Sequence, residues 1–464
     1  RNTKVNIRSV KYMLKGMSVA ATTLGCKVNQ AETDSMLDML KAAGANIVEF
    51  DEKADIYIVN TCSVTNIADK KSRQMLHRAR KMNPDGIVIA AGCYVQSARE
   101  ILEQDEAIDI VISNNKKKSI TEIVNDYINV RNNGKNAPGK DHEAMEYFVD
   151  ISRETEYEEM GGHVPVGHTR AYVKIQDGCN QFCSYCIIPY VRGRIRSRSQ
   201  EAILAEVSEL AEAGIKEVVL TGIHISSYGK DKNNEGALIE LIEAISKIKG
   251  IKRIRLGSLE PGIITEEFVE RISSNSKVCP HFHLSLQSGC DSVLKRMNRK
   301  YTCKQYFEKC DMLRKAYKSP ALTTDVIVGF PGETEEEFAE TVRYLTELNL
   351  YEMHIFKYSP RKGTVAAAMK EQVAPEIKNE RSDVLLKLAH DNKTAYEAQF
   401  EGCELEVLVE EVVKKDNKTY LRGHTERYMD ILIDVGDISM PESFVNSFVY
   451  VTYTQNGGNL PLLL

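Results

Sequence analysis

The segment Asp177-Gly-Cys-Asn-Gln-Phe-Cys-Ser-Tyr-Cys186 sets Cys179, Cys183 and Cys186 at spacings of four and three residues. Core packing does not ask for that spacing. A short loop with three thiolates is how a chain holds an iron–sulfur cluster, because soft sulfur ligands select such a centre over Mg or Ca. Three ligands are one short of what a cubane of four irons takes, which leaves one iron open to a small molecule. A tetrahedral zinc site would want a fourth Cys or His nearby, and His163 and His168 lie upstream without finger-like spacing. A zinc knuckle or an unligated buried trio are the competing readings.

Around this loop the chain alternates short apolar runs with helical periodicity. Residues 19–24, 46–50, 55–60, 87–91 and 108–113 read as strands, with helical patterns such as 30–43 and 69–82 between them. That alternation predicts a parallel sheet with flavodoxin-like winding over residues 17–130. Cys26, Cys62 and Cys93 each follow one of these runs, at the strand edge where open α/β sheets bind ligands. A lone cysteine there is ordinarily a small buried hydrophobe. Three at the same station predict a second three-thiolate site.

Residues 131–166 are rich in turn formers and charge and read as a linker. From residue 167 to 395 six strand-then-helix units follow, with strands at 171–175, 217–220, 253–256, 282–286, 323–328 and 353–358. Six units predict a partial (β/α)6 barrel, open at one side, with the three-cysteine loop on its chemical rim. The same rim carries Gly222 to Gly229, Ser285-Leu-Gln287 and Gly329-Phe-Pro331-Gly332. Glycine admits a ligand close to backbone, and polar side chains there can hold ribose and amino-acid groups, although turns use glycine anyway. Arg192, Arg194, Arg196 and Arg198 alternate directly after the loop. Extended, they would project to one side and suit phosphate oxygens; the alternative is a solvated basic loop.

Residues 396–464 read as strands of a small β-barrel, a shape that often binds RNA, with Tyr420, Arg422, His424, Arg427 and Tyr428 as candidate contacts. A formal net charge of −5 over 464 residues gives no overall pull toward nucleic acid, so any RNA contact must be a local patch. Eleven cysteines, an odd number without paired spacing, fit a reducing cytosol better than a secreted disulfide framework. No apolar run is long enough for a membrane span and the start lacks an apolar signal core, so the expectation is a cytoplasmic chain. The sequence begins at Arg1, and Met17 is a candidate original start. Cys279, Cys290, Cys303, Cys310 and Cys403 match no cluster spacing.

The loop with Tyr185 before its last cysteine resembles the radical S-adenosylmethionine (SAM) signature. With a three-cysteine domain before it and a β-barrel resembling a TRAM domain after it, nearly the whole chain beyond residue 17 resembles the radical SAM methylthiotransferases. Thr23-Leu-Gly-Cys-Lys-Val-Asn-Gln30, residues 60–69, Gly92-Cys-Tyr-Val-Gln96 and residues 221–229 are similar to the branch acting on N6-threonylcarbamoyladenosine (t6A). The resemblance implies two [4Fe-4S] clusters, one on Cys179, Cys183 and Cys186 whose open iron chelates SAM, the other on Cys26, Cys62 and Cys93. It implies SAM contacts at Tyr185, Gly222, Ser285, Gln287, Gly329, Pro331 and Gly332, and tRNA contacts at the four loop arginines, Tyr420, Arg422 and Arg427. One SAM would methylate a sulfur on the second cluster, and another would yield the 5′-deoxyadenosyl radical that opens C2 of t6A37 for methylthiolation.

No acid–base pair is expected, because an adenine C2–H is not acidic enough for a positioned base. The implied partners are tRNA carrying t6A37, an electron donor and a sulfur donor, with no membrane and no DNA. Distinguishing t6A from a prenylated base requires a cation for its carboxylate, such as one of the loop arginines. The alternative substrates are N6-isopentenyladenosine 37 and a ribosomal-protein aspartate. A non-catalytic iron–sulfur protein that binds RNA or carries electrons is the rival of another class, and it leaves the SAM-like segments unexplained.

Overall fold

The structure is a computed structural model that describes residues 14–132, 147–162, 169–416, 418–436, 440–455 and 457–459. Its first unit is a parallel sheet of β1 (Ser18–Thr23), β2 (Asn46–Val48), β3 (Ile56–Thr61), β4 (Ile87–Gly92) and β5 (Ile110–Val111), in the order β2-β1-β3-β4-β5. β3 and β4 are buried at every position, as befits central parallel strands covered on both faces. Their pleat divides the apolar residues: Ile56, Ile58, Ile87 and Ile89 join Met36 and Leu40 in one core, while Tyr57, Val59 and Val88 join Leu76 in the other. Leu14 is fully buried in the first of these cores, so the unit begins before the expected residue 17.

The second unit runs through β6 (Arg170–Asp177), β7 (Arg196–Ser197), β8 (Glu217–Gly222), β9 (Arg253–Leu256), β10 (His281–His283), β11 (Ala321–Val328) and β12 (Glu352–Lys357). All but β7 pair parallel, as β7-β6-β8-β9 and β10-β11-β12. Single bridges, Ile254 to Val278 and Leu259 to Leu284, join the two sheets into one arc. Alternation along each strand decides what fills the arc. On β6, Ala171, Val173 and Ile175 enter the outer apolar core beneath the helices. Arg170, Tyr172, Lys174 and Gln176 therefore face the lumen.

β13 (Glu404–Lys415), β14 (Lys418–Thr425), β15 (Asp430–Asp434), β16 (Phe448–Thr454) and β17 (Gly457–Asn459) close a small barrel. It stoppers the amino ends of the arc. Arg253, first in β9, donates to His424 O at 3.0 Å; Arg255 donates to Glu426 O at 2.9 Å; and the ring of His281, first in β10, lies 5.3 Å from that of Tyr428. Among the described residues no helix is long and apolar enough to cross a membrane.

The expected linker is only partly within the described residues, and what is described departs from the expectation. Residues 147–162 are packed in place: Tyr147 and Ile151 are buried, and Tyr157 Oη donates to Lys174 O at 3.0 Å. Their turn formers and charges hid anchors that act at a distance in sequence.

Candidate active site

Cys26, Cys62 and Cys93 stand past the carboxyl ends of β1, β3 and β4. Gly25 has φ +99, and a Cβ on it would lie 2.8 Å from Cys62 Sγ, so the two loops touch where only glycine fits. Asn29 staples them, donating to Leu24 O at 2.8 Å and Thr61 O at 2.9 Å. Arg192 Nε donates to Cys93 Sγ at 3.2 Å. Burial pushes the Cys62 thiol up to about 12, with Cys93 and Cys26 adding to the shift, and burial likewise raises Cys26 against the opposing charge of Arg192. Gly25 lies against Cys62 Sγ, and Arg192 bridges Cys93 Sγ to Asn29, which is tied to the Cys26 and Cys62 loops, so the three sulfurs share one locale. Cys62 and Cys93 are buried, while Cys26 lines a cavity of about 530 Å³.

The second trio follows β6. Gly178 has φ +72, and a Cβ there would collide with Arg194 O at 1.8 Å. Cys179 N donates to Gly193 O at 3.0 Å, and Ser184 N to Met297 O at 3.0 Å, so the loop is tied at both ends. Arg299 Nη1 donates to Cys183 Sγ at 3.2 Å. Each trio thus keeps one arginine against one sulfur, where it offsets thiolate charge. Burial raises Cys179 to about 11 and Cys186 to about 12, and Cys183 adds to both. All six cysteines are free. Unbridged thiols clustered in threes fit [4Fe-4S] centres that each lack one protein ligand.

The trios meet at the seam between the first two units. Cys93 packs in one small apolar cluster with Ile187 and Val191, and Ile187 directly follows Cys186. A cavity of about 220 Å³ joins Val64 and Thr65, just past Cys62, to Tyr185, Cys186, Gln287 and Asp325. A buried ionic cluster locks the seam. Glu32 accepts from Lys117, from Arg192 and from Lys174 (2.6 Å), and Lys174 also reaches Asp177 at 2.6 Å. A second clamp is Arg361, which meets Ser63 Oγ at 2.9 Å, Asn66 Oδ1 at 2.7 Å and Asp69 Oδ2 at 2.6 Å. Cys26 and Cys186 open on different cavities.

Of the residues expected to touch SAM, Tyr185 and Gln287 line the cavity beside Cys186, and Gln287 takes φ +78. Gly222 ends β8 beside Gln176, and Ser285 O accepts from Tyr301 Oη at 2.5 Å. The turn holding Gly329, Pro331 and Gly332 is fixed by protein contacts: Gly329 N donates to Glu333 Oε1 at 3.0 Å and Gly332 N to Glu371 O at 2.7 Å. Sequence reading missed a polar chain along this rim. Gln181 Nε2 donates to Glu260 Oε2 at 2.6 Å, and His224 Nε2 lies 3.1 Å from the same oxygen.

The arginine-loop expectation requires correction. β7 folds back on β6, pairing Arg196 with Asp177 and Ser197 with Gln176, which turns the side chains inward. Arg192, Arg196 and Arg198 are 0%, 1% and 5% exposed, too enclosed to meet tRNA phosphates. Arg192 serves Glu32, Asn29 and Cys93; Arg196 lies 3.8 Å from Asp177; Arg198 holds Glu206 and, at 2.6 Å, Glu159. Only Arg194 of the four is exposed, with its guanidinium over the Phe182 ring. In the small barrel Arg427 is a staple rather than an RNA contact, donating to Ser319 O at 3.0 Å and Lys318 O at 3.0 Å. Tyr428 is enclosed by Arg170, Arg255 and His424. Arg422 is exposed but paired with Asp430 at 2.8 Å and Glu411 at 3.2 Å, and Tyr420 is half-buried.

Comparison with known proteins agrees with this arrangement. The Radical SAM superfamily model matches residues 173–345, and a model described as uncharacterized protein family UPF0004 matches residues 18–113. Threonylcarbamoyladenosine tRNA methylthiotransferase MtaB of Bacillus subtilis (strain 168) is 39% identical over 416 residues, spanning 89% of this chain and 90% of that protein. The tRNA-2-methylthio-N(6)-dimethylallyladenosine synthase of Thermoanaerobacter pseudethanolicus is 35% identical over 443 residues, spanning 93% and 90%. Among solved structures, the radical SAM methyltransferase TsrM from Kitasatospora setae has a TM-score of 0.54 at 15% identity, covering 74% of this chain and 77% of that one, a likeness of fold. Two three-thiol sets at one seam of a radical SAM barrel, in a chain this similar to curated relatives, place it in the radical SAM tRNA methylthiotransferase family.

Proposed function

We propose that the protein transfers a methylthio group to C2 of t6A37 in tRNA, giving 2-methylthio-t6A. The observation that carries this reading is the meeting of two three-cysteine sets at one seam, in a chain whose relatives include named t6A enzymes. Cys179, Cys183 and Cys186 would hold one [4Fe-4S] cluster, and Cys26, Cys62 and Cys93 the other. When bound, the clusters and SAM supply the one-electron and sulfur-transfer chemistry that acid–base side chains cannot perform on an adenine C2–H. The chain's own part is positional. Arg192 and Arg299 donate to one sulfur of each set, and the Glu32 cluster fixes one unit against the other.

The same reading takes the first unit as flavodoxin-like and the last as a TRAM tRNA-binding module, with boundaries near residues 130, 167 and 395. Tyr185, Gly222, Ser285 and Gln287 are the proposed SAM contacts, and Arg194, Tyr420 and Arg422 remain as proposed tRNA contacts. An electron donor, a sulfur donor and a cytoplasmic setting complete it. The dimethylallyladenosine branch is disfavoured by the lumen, where Arg170, Lys174, Glu217 and Arg255 face inward and offer little to a prenyl chain. Nucleoside mass spectrometry of tRNA from a strain lacking the gene should show 2-methylthio-t6A lost and t6A accumulating, both restored by the gene. Unchanged 2-methylthio-t6A would reject the reading.

A further inference from the structure

Lys27 enters the lumen of the barrel from the neighbouring unit. It directly follows Cys26 at the start of the helix Lys27–Ala42 and lines the cavity of about 530 Å³ together with Cys26, Arg170, Tyr172 and Lys174. Its ammonium lies 5.8 Å from the Tyr172 ring centroid and 5.9 Å from that of Tyr428. Three further cations share that end of the lumen, and all are committed. Arg170 pairs with Glu410 and lies 3.6 Å from Glu217; Arg253 pairs with Glu406 at 2.9 Å; Arg255 pairs with Glu217 at 2.8 Å. Among the described residues no carboxylate stands within ion-pair distance of Lys27; burial, Arg255 and Arg170 lower its pKa, and the acid that opposes them, Glu217, is already shared by three arginines.

We propose that Lys27 reads the free carboxylate of the threonylcarbamoyl group, making this end of the cavity an anion subsite for the N6 substituent of the target base. The assignment deepens the t6A reading and rests on it. Adenine presents C2 and the N6-bearing carbon on either side of N1, along one edge. A residue that reads the N6 substituent must therefore stand beside the group that acts at C2, and Lys27 is covalently next to Cys26. Aromatic faces support the ammonium without neutralising it, so a carboxylate supplies the missing counter-charge. An uncharged prenyl group would bring none. Three of the four loop arginines expected to do this work are buried against acids, and the fourth, Arg194, is exposed over the Phe182 ring and does not line this cavity.

The test uses the reconstituted holoenzyme and anticodon stem-loops carrying either t6A or the same base with its carboxylate converted to the carboxamide. Dissociation constants are measured by fluorescence anisotropy and kcat/KM by product mass spectrometry. Wild type should favour the acid by about 10- to 100-fold, the worth of one hydrogen bond to a charged group. Lys27→Met should bring the two stem-loops within about threefold by weakening the acid alone, with iron content unchanged, and Lys27→Arg should retain most of the preference. A Lys27→Met enzyme that converts t6A and still prefers the acid as wild type does overturns the assignment and leaves the t6A reading standing. A wild type that cleaves SAM but converts neither stem-loop overturns both.

Discussion

Glycine precedes three of the six cysteines of the two trios, at Gly25, Gly92 and Gly178, and this was legible in the sequence as a pattern but not as a cause. The cause is contact: at φ +99, Gly25 lets the Cys26 loop lie against Cys62. Gly25→Ala should therefore cost the N-terminal site its iron while leaving the Cys179 set loaded. Iron per chain, measured after anaerobic reconstitution, should fall by about half relative to wild type. The cysteines themselves could be assigned because thiol spacing and strand-end position are local properties. Arg192 could not, because its partners Asn29, Glu32 and Cys93 are 163, 160 and 99 residues away. Alternating arginines look the same in sequence whether they face solvent or acids brought in by another unit. Lys27 was hidden for the same reason, since nothing near it in sequence shows that it lacks a partner.

At the scale of elements, each of the six expected barrel strands formed within a few residues of its predicted place, because period-two alternation and bounding turns are written locally. β7 and β17 were missed. Each is a short piece whose strand character comes only from its partner, as when Arg196 and Ser197 pair with β6. The helix Asn66–Met82 shows how an element can be fixed from outside. Thr65 caps it, accepting from Ala68 N at 3.1 Å, and Arg361 grips its first turn through Asn66 and Asp69. Arg361→Ala removes a nearly buried charged donor, so the protein should lose about 2 kcal/mol. Amide exchange should quicken across residues 62–69, next to Cys62, and stay unchanged in β10 to β12. Equal protection of 62–69 in the variant and wild type would show that the clamp does not hold this loop.

The whole molecule is three units joined by buried charge, and those joints were the least legible feature because they are made of residues hundreds of positions apart. Glu217, at the foot of the arc, holds from within the second unit the arginines that reach the small barrel, Arg170 to Glu410 and Arg253 to Glu406. Burial pushes its carboxyl up, but Arg255, Arg170 and Arg253 outweigh burial and hold it at about 2. A carboxyl depressed in the folded state contributes stability that is full above the ordinary carboxylate pKa near 4.3 and is lost as pH falls from there toward 2. Between neutral pH and that acid window, urea unfolding of the wild type should lose on the order of 3 kcal/mol more than that of Glu217→Gln. The central claim, that two separate cysteine trios each hold a cluster at one seam, is tested most directly by counting iron and sulfide per chain after anaerobic reconstitution. Wild type should carry about eight irons, and the triple alanine variants at Cys179, Cys183 and Cys186 or at Cys26, Cys62 and Cys93 should each carry about four. A wild type with a single cluster, or a triple variant that keeps both, would contradict the account.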